Sequence, residues 1–385
     1  MPQALLDAVI PRSDTPTGSI EMDKPEKPTH DFPLFAHASG KWAKKINGRT
    51  RYFGRWDDPV SALEAYRKLA GVKDDTVSRL GPSLESACNQ FLAAKDQQRT
   101  AGELASRSFE EYRRTCKRLV EHLGRSRGIA SLTPADFASY RTKMAEKWNL
   151  IAVGNDVTRV RSLFKWCLES RLIKEPMHFG PDFKRPSAKA ARRHRRLQGV
   201  KLFTPEQIRL LIDEAGTHMR AMILLAINCG FGPADCATLP LTGVNLDTGW
   251  LDYPRPKTEI DRHCPLWPET VTALQLSLLR RYQPGPDADG RFFVMHTGRP
   301  WDNNCLPIAK QFRQAAERAG ISKGSFYWLR HCLETVGGAA KDQVALGAIM
   351  GHVDRSMAAT YREEIAEERL LAVTNYVRGW LFGNS

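Results

Sequence analysis

The sequence lacks a long uncharged apolar run, which excludes the ordinary pattern of a membrane-spanning helix. It also lacks the basic-then-apolar pattern of a secretory signal: MPQALLDAVIPRSD carries no basic stretch and meets a proline early, so a cytoplasmic location is expected. No cysteine pair stands as C-x-x-C. Cys88, Cys116, Cys167, Cys229, Cys236, Cys264, Cys305 and Cys332 are scattered, several on apolar helix faces, and are expected as reduced, buried thiols; neither a metal nor another cofactor is expected. No RNA-module signature is found either.

Acid is in short supply. Against 57 lysines and arginines stand 43 aspartates and glutamates, giving a formal charge of +14 and a pI near 9.5. A surface this basic suits a polyanionic partner, nucleic acid first, with no membrane association expected. A chain of 385 residues implies two to three compact units, each able to bury its own core.

Residues 1–30 are rich in proline and acid and poor in large apolar groups, and are expected as a mobile leader. Over 31–75 the pattern turns β-like. Leu34-Phe35-Ala36-His37, Lys41 to Ile46 and Arg51-Tyr52-Phe53 are separated by Ser39-Gly40 and by Asn47-Gly48, a tight-hairpin signal. A helix from about Pro59 to Leu69 follows. Alternation puts Lys44 with Trp42 and Ile46 on one face and Lys45 on the other, while Arg49, Arg51 and Phe53 share a face.

From 83 to 175 the period is helical. Ser108-Phe109-Glu110-Glu111 reads as a capping box, followed by the stripe Phe109, Tyr112, Cys116, Leu119, Val120 and Leu123 and stopped by Gly124, with Arg113, Arg114 and Lys117 on the remaining faces. Thr133-Pro134-Ala135-Asp136 opens a second helix. A third, from about Asn155 to Ser170, packs Val157, Val160, Phe164 and Leu168 and carries Arg159, Arg161 and Lys165. The linker 176–202 contains KRPSAKAARRHRRLQGVK, with Arg192, Arg193, Arg195 and Arg196 and no acid; such a segment is expected to be flexible alone and ordered against phosphate. The last domain, 203–385, begins with the capping signal Thr204-Pro205-Glu206-Gln207. It continues through an apolar helix, Met219 to Asn228, and two strands flanking Arg255-Pro256-Lys257-Thr258. The whole reads as mainly α with small β-sheets.

The stretch Phe326–Ile365 opens with Tyr327-Trp328-Leu329-Arg330-His331 and closes with Met350-Gly351-His352 and Ala359-Thr360-Tyr361-Arg362. It resembles the tyrosine recombinase family, phage-integrase-like enzymes that cut and rejoin DNA through a phosphotyrosine. In that family an H-x-x-R box precedes an L-G-H box, and the nucleophilic tyrosine stands nine residues beyond the last histidine, as Tyr361 does beyond His352.

The resemblance implies a site-specific DNA recombinase or integrase with Tyr361 as nucleophile, Arg330 and His352 on the phosphate, Lys257 as proton donor to the leaving 5′ oxygen and Asp235 as a supporting acid. It implies an arm-type DNA-binding module at 31–75, a core-binding helical domain at 83–175, double-stranded DNA as partner and a homodimer or tetramer on that DNA. Two positions depart from the pattern. Cys229-Gly230-Phe231-Gly232-Pro233-Ala234-Asp235 occupies the place of T-G-x-R-x-x-E, with Gly232 where the family has its first arginine, and Tyr327 replaces the histidine of H-x-x-R. Arg255, Arg262 and Arg220 are candidate substitutes for the missing guanidinium. The alternative is a catalytically impaired DNA-binding relative acting as a regulatory or target-holding factor.

Overall fold

The computed structural model describes residues 24–29, 31–46, 48–70, 81–301 and 306–383. Most of the expected leader, Asn47 of the hairpin turn, the end of the expected N-terminal module (71–75) and Cys305 lie outside the described residues. The chain divides into two compact units, one ending at Gln198 and the other beginning at Gly199. Its mainly α character with two small three-stranded sheets matches the expectation from the sequence.

In the first unit, strands β1 (Phe35–His37), β2 (Lys41–Ile46) and β3 (Arg49–Arg55) form an antiparallel meander. A register shift between Trp42 and Ala43 lets both side chains be buried, which simple alternation would not predict. Helix α1 (Pro59–Ala70) covers one face, enclosing Trp42 with Phe32, Leu34, Ala62 and Leu63. Gly54 makes this close approach possible, since a Cβ there would stand 3.0 Å from that of Ala62.

Helices α2 (Leu84–Thr100), α3 (Ser106–Leu123), α4 (Pro134–Ala145) and α5 (Leu150–Glu169) build the second core of this unit. Helix α3 starts ahead of the expected Ser108 cap, and its Ala105 N-cap offers no side-chain bond. Helix α5 likewise starts earlier than expected, because the Asn149 side chain accepts from the amides of Ile151 and Ala152. The Thr133 signal behaves as read: its amide donates to Asp136 at 2.7 Å. At the centre Asp156, fully buried, accepts from Thr115 and Tyr140 at 2.7 Å each and from Arg118, tying α3, α4 and α5 together. The basic segment expected to be flexible forms helix α6 (Ala188–Leu197), its first turn capped by Ser187. Its run of strong helix formers and its cap account for the difference.

The second unit is organised around α8 (Thr217–Cys229), which is buried from Ala221 to Cys229. Helix α7 (Pro205–Glu214) precedes it with the expected capping box, and the short α9 (Pro233–Thr238) follows. Strands β4 (Val244–Asn245), β5 (Trp250–Asp252) and β6 (His263–Pro265) form the second antiparallel sheet. Helices α10 (Pro268–Leu279), α11 (Leu306–Arg318), α12 (Tyr327–Gly337), α13 (Gln343–Ile349), α14 (Met357–Thr360) and α15 (Glu367–Phe382) complete it. Helix α15 packs within its own chain. Leu370, Val373, Val377 and Leu381 enter the core, Trp267 Nε1 donates to the Thr374 carbonyl at 3.0 Å, and Arg378 makes a two-pronged pair with Glu269. No helix among the described residues is long and apolar enough to cross a membrane.

Candidate active site

Helix α12 carries Arg330 on its buried face, where the side chain meets two turns made by glycine. Gly230 ends α8 at φ +68 and Gly351 follows α13 at φ +60, a region that costs other residues backbone strain. A Cβ at Gly230 would come 2.5 Å from Met350 Sδ, and one at Gly351 would come 2.9 Å from Arg255 Cβ. The lack of side chains here lets carbonyl groups close on the guanidinium groups. Arg330, 3% exposed, donates through Nη1 to the Gly230 carbonyl and through Nη2 to the Met350 carbonyl at 2.6 Å.

The same Nη2 lies 3.0 Å from His352 Nε2. A guanidinium has no lone pair to offer, so this contact requires Nε2 to accept and assigns the imidazole proton to Nδ1. Nδ1 faces Glu334 Oε2 at 3.8 Å, too long for a hydrogen bond. Burial, with Arg330, Arg255 and Lys257 adding, holds His352 below the ordinary histidine range against an opposing pull from Glu334.

Arg255 sits at the base of the turn between β5 and β6, 8% exposed, and its Nη1 donates to the Gly351 carbonyl at 3.2 Å. Thr258 Oγ1 donates to the same carbonyl at 3.0 Å. These two bonds dock the turn, and with it the exposed Lys257, beside His352. Burial and then the charge of Arg255 push the Arg330 guanidinium down to about 10. Among the described residues no carboxylate pairs with Arg330. The cluster therefore holds an excess of positive charge in a partly dry place, an arrangement an anion would relieve.

Asp235 is committed elsewhere. Its carboxylate accepts from the Gly232 amide at 2.6 Å and from Arg262 Nη2 at 2.9 Å. Arg262 is 2% exposed, donates through Nε to the Tyr253 carbonyl at 3.1 Å and stacks on Phe231 at 4.4 Å. It braces the turn from behind. Arg220 is turned away, donating to the carbonyls of Ile212 and Asp213. Of the three candidate substitute arginines, Arg255 has the strongest charge effect on Arg330, with Arg262 after it. No sequence signal singled Arg255 out, because what brings it in is a fold-back contact with Gly351, almost a hundred residues away.

Tyr327, at the start of α12, lies against Gly232: a Cβ there would stand 3.5 Å from its ring. The ring also meets His331 edge-on at 5.4 Å. Tyr361 ends the short α14 at 78% exposure, and its phenol has no hydrogen bond to another described residue. Residues of the segment that carries it help to line a cleft of about 1400 Å³, together with Tyr253, Arg262 and Gly347. From Val353 to Glu364 every side chain is exposed except the half-buried Ala359 and Arg362. Arg362 pairs with Asp354 at 3.0 Å within the segment.

The basic residues singled out in the first unit fall into groups. Lys44 Nζ donates to the Pro33 carbonyl at 2.9 Å on the side covered by α1, whereas Lys45 lies on the open side and Arg49 and Arg51 are exposed. Arg113 is paired with Glu110, Arg114 with Glu110 and Glu111, Lys117 with Glu121, Arg159 with Glu111 and Lys165 with Glu169. Arg161 donates to the Phe183 carbonyl at 2.6 Å. Arg192, Arg193, Arg195 and Arg196 project from α6 into solvent.

Residues 201–368 match the family model described as the phage integrase family. Comparison with curated proteins finds no match. Among solved structures, a lambda integrase dimer bound to a COC′ core site aligns with TM-score 0.55 and 14% identity over 88% of this chain and 97% of that one. A lambda integrase tetramer bound to a Holliday junction gives 0.54 and 14% over 88% and 99%. The Tn1549 transposon integrase in complex with transposon right-end DNA gives 0.52 and 17% over 76% and 99%. At these identities the likeness is one of fold.

Proposed function

We propose that this chain, whose residues 201–368 match the phage integrase family model, breaks and rejoins double-stranded DNA through a 3′-phosphotyrosine as a tyrosine recombinase. The carrying observation is the cluster in which Arg330 and Arg255 donate to the neighbouring Met350 and Gly351 carbonyls and Arg330 meets His352, with no carboxylate paired to Arg330 among the described residues. A phosphodiester supplies the missing negative charge, and its transferring phosphoryl gains most from fixed cations in the transition state.

In this reading the Tyr361 oxygen attacks phosphorus, its phenolic proton passing to the solvent around this exposed side chain, and the bond to the 5′ oxygen breaks. The 3′ phosphate stays on Tyr361, and Lys257 gives the departing oxygen its proton. The bond energy is kept in the phosphotyrosine, so the 5′ hydroxyl of a second strand reverses the step without ATP. Arg330 and Arg255 hold the non-bridging oxygens, Arg255 in place of the absent arginine at Gly232, and His352 donates to one of them. Tyr327 offers its hydroxyl where relatives have histidine, and Asp235 acts through Arg262 and the Gly232 amide. The exposed Tyr361 segment has the freedom to bring the phenol over the phosphate. Lys45, Arg49 and Arg51 of the sheet, the paired basic residues of α3 and α5, and the α6 arginines are the proposed backbone contacts. Assembly as a dimer or tetramer on DNA is supported by the lambda integrase complexes of like fold.

A second reading has a specific observation in its favour. Gly232 leaves the family's first arginine position empty while the Tyr327 ring lies beside it, as in a protein that grips DNA without cutting it. Incubation with a nicked duplex that traps the cleaved strand separates the two. A covalent adduct from wild type, absent with Tyr361→Phe and slowed on the order of 10²–10³-fold by Arg255→Gln, supports the enzyme. Tight binding with no adduct from wild type establishes the target-holding factor instead.

A further inference from the structure

Helix α12 brings a carboxylate to the edge of the arginine cluster. Glu334 stands one turn beyond Arg330 on the same helix. The two do not pair, because the donors of Arg330 are turned to the Gly230 and Met350 carbonyls and to His352. Glu334 Oε2 is shut off from solvent and has no hydrogen-bond partner among the described residues. It faces His352 Nδ1 at 3.8 Å, about 1 Å beyond a charge-assisted hydrogen bond. Both residues line the same cleft. The His352 amide donates to the Gly347 carbonyl at 2.9 Å, which fixes the backbone and leaves side-chain rotation to close the gap.

The ring of His352 stands among cations. Arg330 on α12, with Arg255 and Lys257 on the turn between β5 and β6, disfavours its protonation, and of its charged neighbours Glu334 alone favours it. In the segment of His352 itself, Asp354 is taken by Ser356 and Arg362. Glu334 also favours a proton on His331, whose ring meets Tyr327. A neutral imidazole has one proton, and with Nε2 accepting from Arg330 that proton is on Nδ1, toward Glu334. To donate to a phosphate, Nε2 needs a second one.

We propose that Glu334 is a positioning residue for His352: when a DNA phosphate draws Arg330 away, the ring takes a second proton from solvent, donating through Nε2 to the phosphate and through Nδ1 to Glu334 Oε2. This rests on the phosphate site of the strand-cutting reading above. The carboxylate fixes the plane of the ring and offsets the charge that the ring acquires among three cations, as outer carboxylates do for histidines elsewhere. A glutamine in its place can accept the same bond and supplies no charge.

Titration of the imidazole by NMR in Tyr361→Phe, free and saturated with an uncleavable duplex, reads this directly. Adding Glu334→Gln should lower the His352 midpoint in both states, and in the bound state by about 10-fold in proton affinity. Glu334→Asp, which keeps the charge and shortens the reach, should fall between. In single-turnover cleavage of a nicked duplex, Glu334→Gln should slow adduct formation about 10-fold at neutral pH with duplex affinity unchanged. That deficit should shrink as pH falls, because acid then protonates the ring without help. A bound-state midpoint that is the same with glutamate and glutamine at 334 overturns the proposal. So does a rate deficit that is constant with pH, which is what a purely structural role would give. Absence of any adduct from wild type refutes strand cutting instead, and the bound-state midpoint still decides the part played by Glu334. Failure of the duplex to bind overturns both.

Discussion

The ring of Tyr327 lies beside the backbone of Gly232, 3.5 Å from where a Cβ would stand. The two positions that depart from the family pattern are therefore neighbours in space, and a longer side chain at one has to negotiate the ring at the other. Gly232 has φ −94, so its backbone accepts any residue and the obstacle is the side chains around it. A Cβ would also come 3.1 Å from Asp235 Oδ2. Gly232→Arg alone is expected to change the rate of adduct formation by no more than a few-fold. Paired with Tyr327→His, which shortens the ring, it should gain on the order of 10²-fold. The measurement is a double-mutant cycle on single-turnover cleavage, and strict additivity of the two changes would refute the coupling.

Asp235 and Arg262 form an ion pair closed off from water at 2.9 Å. Arg262 Nη1 already has no partner. Removing the carboxylate leaves a buried guanidinium uncompensated, so Asp235→Ala should cost about 3–5 kcal/mol of stability, read as a lowered urea midpoint. Replacing both residues by apolar ones of similar volume should restore part of that loss. If Asp235→Ala left the midpoint within ~0.5 kcal/mol of wild type, the pair would not be bracing the turn that carries Arg255 and Lys257.

Much of this was legible along the chain, and what was not has identifiable causes. Helix-stop and capping signals at Thr133, Thr204 and Gly124 act locally and read correctly. The Ser108 signal did not, because α3 extends past it to Ser106. Strand alternation failed at Trp42 and Ala43, where a register shift buries consecutive residues. The motif spacing pointed to Arg330 and His352, and their side chains meet. Arg255 was one of three candidate substitutes that the sequence left undivided, because its place depends on Gly351 folding back onto it. The pairing of Arg113, Arg114 and Arg159 with Glu110 and Glu111 was equally hidden. A sequence shows charges on a helix face and not which of them are already shared.

Asp156 makes a sharper case for buried charge, since three donors from two other helices converge on it. Asp156→Ala deprives Arg118, Thr115 and Tyr140 at once and should cost about 3–5 kcal/mol. Thr115→Val removes one neutral donor and should cost about 1 kcal/mol. Chemical denaturation of the full chain checks both. Equal losses would mean that the Arg118 charge is stabilised by its stacking on Trp148 at 4.5 Å and not by Asp156.

His352 gives the site a pH signature whose sign follows from its surroundings. Burial, and the Arg330 charge after it, lower its pKa from 6.5, so the folded protein favours the neutral ring that accepts from Arg330. The unfolded chain binds a proton at higher pH than the folded one does. Stability attributable to this group is therefore intact above about 6.5 and is lost as pH falls from there through the depressed folded value. The ring is partly exposed, so solvent screens the effect and its size is modest. A bound phosphodiester reverses the local field by neutralising Arg330 and Arg255, which raises the His352 pKa and favours the protonated donor form. Titrating the imidazole by NMR should give a midpoint below 6.5 in the free protein, moving upward when an uncleavable duplex is bound to Tyr361→Phe. A midpoint that stays put on saturation with DNA would mean that no phosphate enters the space between Arg330, Arg255 and His352.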